Sequence, residues 1–292
     1  MGRAAPGGAR GRAARGDQRG GQGGRARRPA AAREPARGRL RGRPAAHGRA
    51  APVPRRRAGL QAGPRPLSEA RPLLLRDLGR IPYAEAWELQ KELVEARRRG
   101  EGEDTLLLCE HDEVVTTGRK AQGKGRSDDE TALVRAAGIA VLAIERGGAA
   151  TYHGPGQLVG YPIVRLEKHE RDLHKFLRHQ ESALIAALAS ECGLEAGRKE
   201  GLTGVWAGDK KLASIGIACR GWVTYHGFAL NLSTDLSRFG LFNPCDLDSQ
   251  VMASLASVGV GYEREALGRA VWRELAGLLG RTARQVGPKG SI

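Results

Sequence analysis

The feature that most constrains this chain is an abrupt change of composition near residue 70. Residues 1–70 hold 18 of the 48 Lys and Arg residues but only 3 of the 32 Asp and Glu residues, which accounts for nearly all of the net charge of +16. The segment is built from Arg, Gly, Ala and Pro and carries no aromatic residue. Such a composition cannot bury enough apolar surface to offset its conformational entropy. We therefore predict that residues 1–70 are disordered and that the fold is confined to the remainder.

The basic segment allows more than one interpretation. A cationic tail can bind nucleic acid or an anionic surface through phosphate contacts. The same composition suits an inert tail, or sequence translated from upstream of the true start in a GC-rich genome. Residues 71–292 are nearly neutral, with 30 basic and 29 acidic residues. We therefore do not expect the folded part to bind nucleic acid.

Targeting signals and cysteine spacing favour a cytoplasmic protein. No apolar stretch matches the core of an export signal, and no run reaches the roughly 18 apolar residues of a membrane span. The four cysteines, Cys109, Cys192, Cys219 and Cys245, lie far apart and form no C-x-x-C pair. A zinc site or a disulfide framework is therefore not expected. We interpret the first three, which lie in apolar runs, as buried small hydrophobes.

Hydrophobic periodicity predicts interspersed helices and strands in the folded part. The predicted helices are 83–99, 128–137, 172–192 and 263–279. The predicted strands are 105–110, 114–117, 139–144 as a buried strand, 158–166, 205–207, 211–218 and 224–232. Residues 118–126 and 146–157 are predicted loops, the first mobile and basic. This order indicates an α/β or α+β domain with a mixed sheet over residues 71–285, followed by a flexible tail at 286–292.

Three motifs follow one another along this domain. They are R-G-G-A-A-T-Y-H-G-P-G-Q at 146–157, K-L-A-S-I-G at 211–216, and Y-H-G at 225–227 leading to N-P-C at 243–245. In this order they resemble the lipoyl(octanoyl) transferase family, within the lipoate and biotin ligase fold, over about residues 73–280. The resemblance implies a mixed sheet flanked by helices that carries an elongated acyl pocket, with no cofactor and no metal.

The resemblance also implies the site residues. Cys245 would be the nucleophile and Lys211 its partner. The substrate pocket would be lined by Arg146, Gly147, Gly148, Ala149, Ala150, Thr151, Tyr152, His153, Ser214, Ile215, Gly216, Gly227, Phe228 and Ala229. The chemistry of these residue types agrees, because a neighbouring ammonium lowers the pKa of a thiol and a deprotonated lysine can accept a proton from an attacking amine. Glycine backbone amides can stabilise the tetrahedral oxyanion.

The implied reaction transfers octanoyl from octanoyl-acyl-carrier protein to a protein lysine. The implied acceptors are the lipoyl domains of 2-oxoacid dehydrogenase complexes and the glycine cleavage H protein. No membrane partner is expected, and we expect a monomer. The sequence leaves acyl chain length, preferred acceptor and oligomeric state open.

Alternatives and departures accompany this interpretation. The chain could be an ATP-dependent lipoate or biotin ligase, a non-catalytic binding module on the same fold, or an Arg-rich RNA-binding protein. The cysteine argues against a ligase, which needs no such nucleophile. His153 and His226 are interpreted as pocket-lining residues, with zinc ligation or a role of His153 as base for Cys245 as alternatives. The family often has a polar residue at Ala149 and glycine at Asp246, where a carboxylate would raise the thiol pKa.

Overall fold

A computed structural model describes residues 71–120, 127–242 and 249–285, with residues 127–130 described by their backbone alone. The predictions of a disordered segment at 1–70 and of a flexible tail at 286–292 lie outside the described residues. So does most of the predicted mobile loop, at 121–126.

The described chain alternates strands and helices. The helices are α1 (Tyr83–Arg99), α2 (Ser127–Ala136), α3 (Leu173–Cys192) and α4 (Arg264–Leu278). The strands are β1 (Pro72–Arg80), β2 (Asp104–Glu110), β3 (Val114–Thr117), β4 (Ala140–Ala143), β5 (Ala150–His153), β6 (Gln157–Ile163), β7 (Gly197–Lys199), β8 (Leu202–Ala207), β9 (Lys210–Arg220), β10 (Val223–Asn231) and β11 (Thr282–Gln285). The four helices begin and end within one residue of the predicted bounds.

Two sheets form the framework. The larger has the order β11-β1-β2-β6-β10-β9-β8-β7, and the smaller has the order β4-β3-β5. Strand β1 runs parallel to β2 and β11, whereas β2, β6, β10, β9, β8 and β7 pair antiparallel in turn. The large sheet is therefore mixed, as the sequence predicts.

The large sheet is covered on both faces. Successive side chains of a strand point to opposite faces. In β2, Leu106 and Leu108 accordingly pack with α3 and α4, while Leu107 and Cys109 pack with α1. Coverage of both faces explains why β2 is apolar at consecutive positions rather than at alternate ones.

A buried ion cluster ties several elements together. Asp104, which is fully buried at the start of β2, accepts hydrogen bonds from the Arg97 guanidinium at 2.9 and 3.1 Å and from Arg281 Nε at 2.9 Å. The Arg165 backbone N–H donates to the same carboxylate at 3.0 Å. Arg281 also donates to Glu170. The cluster joins the end of α1 to β2, the end of β6 and the approach to β11.

Some predictions were wrong or incomplete. Residues 146–157 are not a loop throughout, because β5 lies inside them and pairs with β3. Strand β4 is not buried: it forms the edge of the small sheet, and its residues are exposed or half-buried. Strands β1, β7 and β11 were not predicted: β7 and β11 are short and mostly polar, and β1 begins with Pro72 and three consecutive leucines. Their residues do not alternate clearly enough to indicate a strand, and pairing with a neighbour defines them.

Candidate active site

Lys211 lies near the start of β9, where its side chain is 3 % exposed and lines a pocket. Its Nζ stands 5.6 Å from the centre of the Trp206 ring on β8. Gly204, also on β8, provides the space: a Cβ at this position would approach Lys211 Cε to 2.8 Å and Ala213 O to 2.5 Å. The absence of a side chain at Gly204 therefore allows the lysine stem to pass close to β8.

The start of the glycine-rich segment packs on β9 beyond the residues that pair with β8. Gly147 N donates to Ile217 O at 2.9 Å, and a Cβ at Gly216 would lie 2.9 Å from Gly147 O. Arg146 connects this loop to β3, because its buried guanidinium donates to Thr116 O at 2.8 Å and to Gly147 O at 2.9 Å. The loop and β9 can approach this closely because glycines face each other.

Strand β5 divides its residues between two environments. Thr151 and His153 line the pocket, whereas Ala150 and Tyr152 point to the opposite face, as the two-residue period of a strand requires. Tyr152 packs on Phe239 and donates its hydroxyl to Glu113 Oε1 at 3.0 Å. Ala149, just before the strand, does not line the pocket either. The structure thus places three of the fourteen predicted pocket residues, Ala149, Ala150 and Tyr152, outside the lining.

The other predicted pocket residues come together. The pocket has a volume of about 420 Å³, within the range of roughly 300–1,000 Å³ that is usual for small-molecule sites. The predicted residues that line it with Lys211 are Arg146, Gly147, Gly148, Thr151, His153, Ser214, Ile215, Gly216, Gly227, Phe228 and Ala229. His226 lines it as well, as the sequence interpretation expected.

Sequence reasoning missed part of the lining. The additional residues are Tyr83, Lys120, Tyr161, His174, Leu177, Gly201, Leu202, Thr203 and Ile217. Most of them come from α1, β6, α3 and the start of β8, outside the three motifs, whereas Ile217 directly follows the second motif. Tyr161, an aromatic residue in the mostly aliphatic run 158–166, is the signal that could have indicated part of this wall.

One wall of the pocket consists of packed aromatic and histidine rings. His153 stacks on Tyr83 with a centroid separation of 5.5 Å and meets the edge of His111 at 5.9 Å. His111 Nδ1 donates to Ile81 O at 2.8 Å, which leaves Nε2 to accept from the Tyr161 hydroxyl at 2.7 Å. Burial lowers the pKa of His111, and it lowers the pKa of His153 well below its ordinary value. Both rings are therefore neutral near pH 7.

His226 has an unusual backbone conformation near the middle of β10. Its backbone has a φ of +54°, which is rare for a residue other than glycine. The backbone N–H donates to the buried Gln90 Oε1 at 2.9 Å, and ring atom Nε2 lies 3.9 Å from Glu145 Oε2. Burial lowers the pKa of His226, although the Glu145 carboxylate opposes that shift.

Cys245 and Asp246 lie outside the described residues. The described chain stops at Phe242 and resumes at Ser249. Phe242 and Met252 pack in the same apolar cluster, and Met252 pairs with Lys211. Ala253 N then donates to Lys211 O at 2.9 Å. The chain that follows Cys245 therefore returns to the sheet beside Lys211.

The described residues give less support to a different cysteine nucleophile or to a metal site. Cys109 is fully buried and burial raises its pKa, while Cys192 and Cys219 are half-buried, with pKa values that burial also raises. None of these three lines the pocket. Over residues 71–120, 127–242 and 249–285, His, Cys, Asp and Glu form no group that could hold a metal ion. Within the same ranges, no helix is long and apolar enough to cross a membrane.

The model of the lipoyl protein ligase A/B catalytic domain matches residues 82–275, which include every described residue of the site. The chain belongs to this family. The family's curated members include an octanoyltransferase of Solibacter usitatus, 47% identical over 202 residues that cover 69% of this chain and 90% of that protein. An octanoyltransferase of Rubrobacter xylanophilus is 48% identical over 194 residues, covering 66% of this chain and 83% of that protein.

Solved structures with this family's fold confirm the predicted architecture. A bipartite lipoate protein ligase from Thermoplasma acidophilum aligns with a TM-score of 0.58 at 21% identity, covering 75% of this chain and 89% of that one. A lipoate-protein ligase A solved with ATP aligns with a TM-score of 0.56 at 20% identity, covering 75% of this chain and 90% of that one. At such identities the likeness establishes the fold and not the reaction.

Proposed function

We propose that residues 71–285 form a catalytic domain that transfers an octanoyl group to protein lysines through a thioester on Cys245, with Lys211 as the proton-transfer partner. The donor we propose is octanoyl-acyl-carrier protein. Octanoyl transfer rests on the curated octanoyltransferases, which match the chain at 42–48% identity. The donor rests on the resemblance of the three motifs to the lipoyl(octanoyl) transferase family, and the thioester rests on the presence of both a cysteine and a lysine in those motifs.

The observation that carries the proposal is the placement of Lys211. Lysine side chains are rarely buried unless they are paired, and this one is 3 % exposed and lines the pocket. Cys245 follows Phe242 by three residues along the chain. Phe242 shares a cluster with Met252, which pairs with Lys211. These connections support a Cys245–Lys211 pair at one end of the pocket.

Two half-reactions can share this pair with no net change in protons. The Cys245 thiolate attacks the thioester carbon of the donor, and the carbon–sulfur bond to the carrier breaks. The departing carrier sulfur takes a proton from the Lys211 ammonium. The acceptor amine then attacks the Cys245 thioester, an amide bond forms and the bond to Cys245 breaks. Lys211 takes the proton lost by the amine, which restores the starting state.

The pocket suits an acyl chain that ends near Lys211. Besides Lys211, the lining of the pocket includes the apolar residues Leu177, Leu202, Ile215 and Ile217. Ser214 pairs with Ala229 and Gly216 with Gly227 across β9 and β10, so small residues face each other along this part of the sheet. Small residues leave room for a slender chain between the strands and the Gly147 loop.

The proposed acceptors and the proposed compartment rest on two other observations. The archaeal ligase was studied with its E2 lipoyl domain, and we propose lipoyl domains and the glycine cleavage H protein as acceptors here. The described cysteines are free thiols, as is usual in a reducing compartment. We therefore assign the reaction to the cytoplasm.

The test is intact-protein mass spectrometry after mixing the chain with octanoyl-acyl-carrier protein, followed by transfer to a lipoyl domain. Wild type should gain one octanoyl group that hydroxylamine removes. Cys245→Ala should gain none and transfer none, whereas Cys192→Ala, which removes a half-buried thiol outside the pocket, should behave as wild type. Transfer by Cys245→Ala from free octanoate and ATP would replace the thioester mechanism with that of a ligase.

Lys211→Met separates the two roles of the lysine. If Lys211 acts in both half-reactions, single-turnover rates of Cys245 acylation and of transfer to the acceptor should each fall about 10²–10⁴-fold at pH 7. Raising the pH toward about 8.5 should restore acylation more fully than transfer, because hydroxide can ionise the thiol but cannot replace a positioned base. Lys210→Met, at the exposed neighbouring position, is the matched control. Unchanged rates in both steps would remove Lys211 from the mechanism.

A further inference from the structure

Two buried carboxamides outside the pocket lining have no role in the mechanism described so far. Gln157 closes the glycine-rich segment, Asn231 ends β10, and each is 1 % exposed. They are direct partners across β6 and β10. Burying a carboxamide costs free energy unless its polar atoms are bonded. The hydrogen bonds that these two side chains make therefore indicate which segments of the chain they hold in place.

Backbone carbonyls determine the direction of every bond in this chain of side chains. Gln157 Nε2 donates to Tyr152 O at 3.2 Å, and Asn231 Nδ2 donates to Ala253 O at 2.9 Å. Since a carbonyl can only accept, the two nitrogens are assigned. Gln157 Nε2 then also donates to Asn231 Oδ1 at 2.9 Å, and Gln157 Oε1 accepts from His153 Nδ1 at 2.9 Å.

The chain of bonds therefore fixes one histidine tautomer. His153 carries its hydrogen on Nδ1, directed at Gln157, and Nε2 is left 3.5 Å from the Thr116 hydroxyl. The same ring stacks on Tyr83 and lines the pocket. One end of the carboxamide pair thus holds part of the pocket wall.

The other end of the pair holds the chain that returns from Cys245. Besides the bond from the Asn231 side chain to Ala253 O, Leu255 N donates to Asn231 O at 3.0 Å. Ala253 N donates to Lys211 O at 2.9 Å. Asn231 is therefore hydrogen-bonded to Ala253 and Leu255 of the returning segment, next to the point where that segment meets Lys211.

We infer that Gln157 and Asn231 are positioning residues for acyl transfer: together they set where the chain returning from Cys245 meets β9 at Lys211, and they hold His153 in one orientation in the pocket wall. The inference rests on the proposed function, because the role of Cys245 belongs to that proposal. Neither carboxamide lines the pocket, so both act through the residues they hold.

The test compares Asn231→Leu and Gln157→Met with Asn231→Asp. The first two remove the amide at similar volume. Asn231→Asp keeps the acceptor for Gln157 but replaces the donor that faces Ala253 O with an oxygen. Each variant should lower kcat for octanoyl transfer at least tenfold with little change in KM for octanoyl-acyl-carrier protein. Each should also raise the midpoint of the pH profile for iodoacetamide alkylation of Cys245, followed by peptide mass spectrometry.

Thr224→Val is the matched control. Thr224 is fully buried on the same strand, and its hydroxyl donates to Pro162 O at 2.8 Å and accepts from Val164 N at 3.1 Å. It lies seven residues before Asn231, about 23 Å along the strand at roughly 3.3 Å per residue. Thr224→Val should lower thermal stability about as much as Asn231→Leu does, with kcat and the alkylation midpoint unchanged. A purely structural role would make the variants indistinguishable by both readouts.

A double variant tests whether the two side chains act as one unit. If they do, Gln157→Met combined with Asn231→Leu should be no slower than the slower single variant, because residues of one network are non-additive. The inference is overturned if the Asn231 variants keep the wild-type kcat and alkylation midpoint. It is also overturned if the two effects multiply. In either case the proposed function stands as long as Cys245→Ala abolishes transfer.

Discussion

Acidification should destabilise the domain well above the pH at which its carboxylates titrate. His111, His153 and His226 are buried, and burial lowers the pKa of each. As the pH falls through about 6.5, these three residues take up protons more readily in the unfolded chain than in the folded chain. The unfolded state then binds more protons, so the free energy of unfolding decreases as the pH falls.

The size of the effect follows from linkage. A histidine whose folded pKa lies well below 6.5 removes about 1.4 kcal/mol one pH unit below that value, so His153 alone removes about that much at pH 5.5 and three such residues would remove about 4 kcal/mol. Burial lowers the pKa values of His111 and His226 less far than that of His153, and the nearby Glu145 carboxylate opposes the shift at His226, so we expect a total between about 1.4 and 4 kcal/mol. The upper value is a large fraction of the roughly 5–15 kcal/mol available to a typical domain. The pKa values of Glu145 and Glu170 are lowered to about 2, so their contribution is lost only below pH 4.5.

Urea unfolding between pH 7.5 and pH 5.5, followed by circular dichroism, measures this dependence. Wild type should lose between about 1.4 and 4 kcal/mol with an unchanged m-value. His153→Gln should reduce the loss by about 1.4 kcal/mol, because glutamine does not titrate. A free energy of unfolding that stays within about 1 kcal/mol over this range would show that these rings protonate in the folded state and would refute the reasoning.

Three further outcomes are expected. Asp104→Asn should cost about 3–5 kcal/mol in urea unfolding because it leaves buried arginines poorly compensated, whereas Asp112→Asn in an exposed ion pair should cost under about 1 kcal/mol; equal costs would contradict the cluster's role. Gly160→Ala should lower the free energy of unfolding by about 1–3 kcal/mol, since its Cβ would overlap the buried Phe228 ring, and an unchanged value would show that the ring can move. Deleting residues 1–65 should leave the melting temperature unchanged, and a drop of more than a few degrees would show that they pack on the fold.

Local pattern predicted the elements whose stability is local. Helix α3, predicted at 172–192, begins at Leu173 after Asp172 accepts a hydrogen bond from Lys175 N, and it ends at Gly193 with a φ of +59°. Strand β5 was missed because its flanking glycines suggest a loop, and pairing with β3 is what orders it. The same pairing decides which residues of β5 reach the pocket. Ala150 and Tyr152 could therefore not be separated from Thr151 and His153 while the segment was interpreted as a loop.

The carboxamide pair shows why the remaining part of the site could not be predicted. Gln157 and Asn231 are 74 residues apart, and Asn231 and Ala253 are 22 apart. A Gln beside glycines and an Asn at a strand end are ordinary turn and strand-end residues when considered one at a time. They become informative only after register places them opposite each other on β6 and β10, because the buried amides then require partners. Each partner leads to another part of the pocket: His153 to its wall, and Ala253 to Lys211 and the return from Cys245. The motifs led to the proposed reacting residues, whereas the bonds that hold the described part of the site in place depend on long-range register that no local pattern contains.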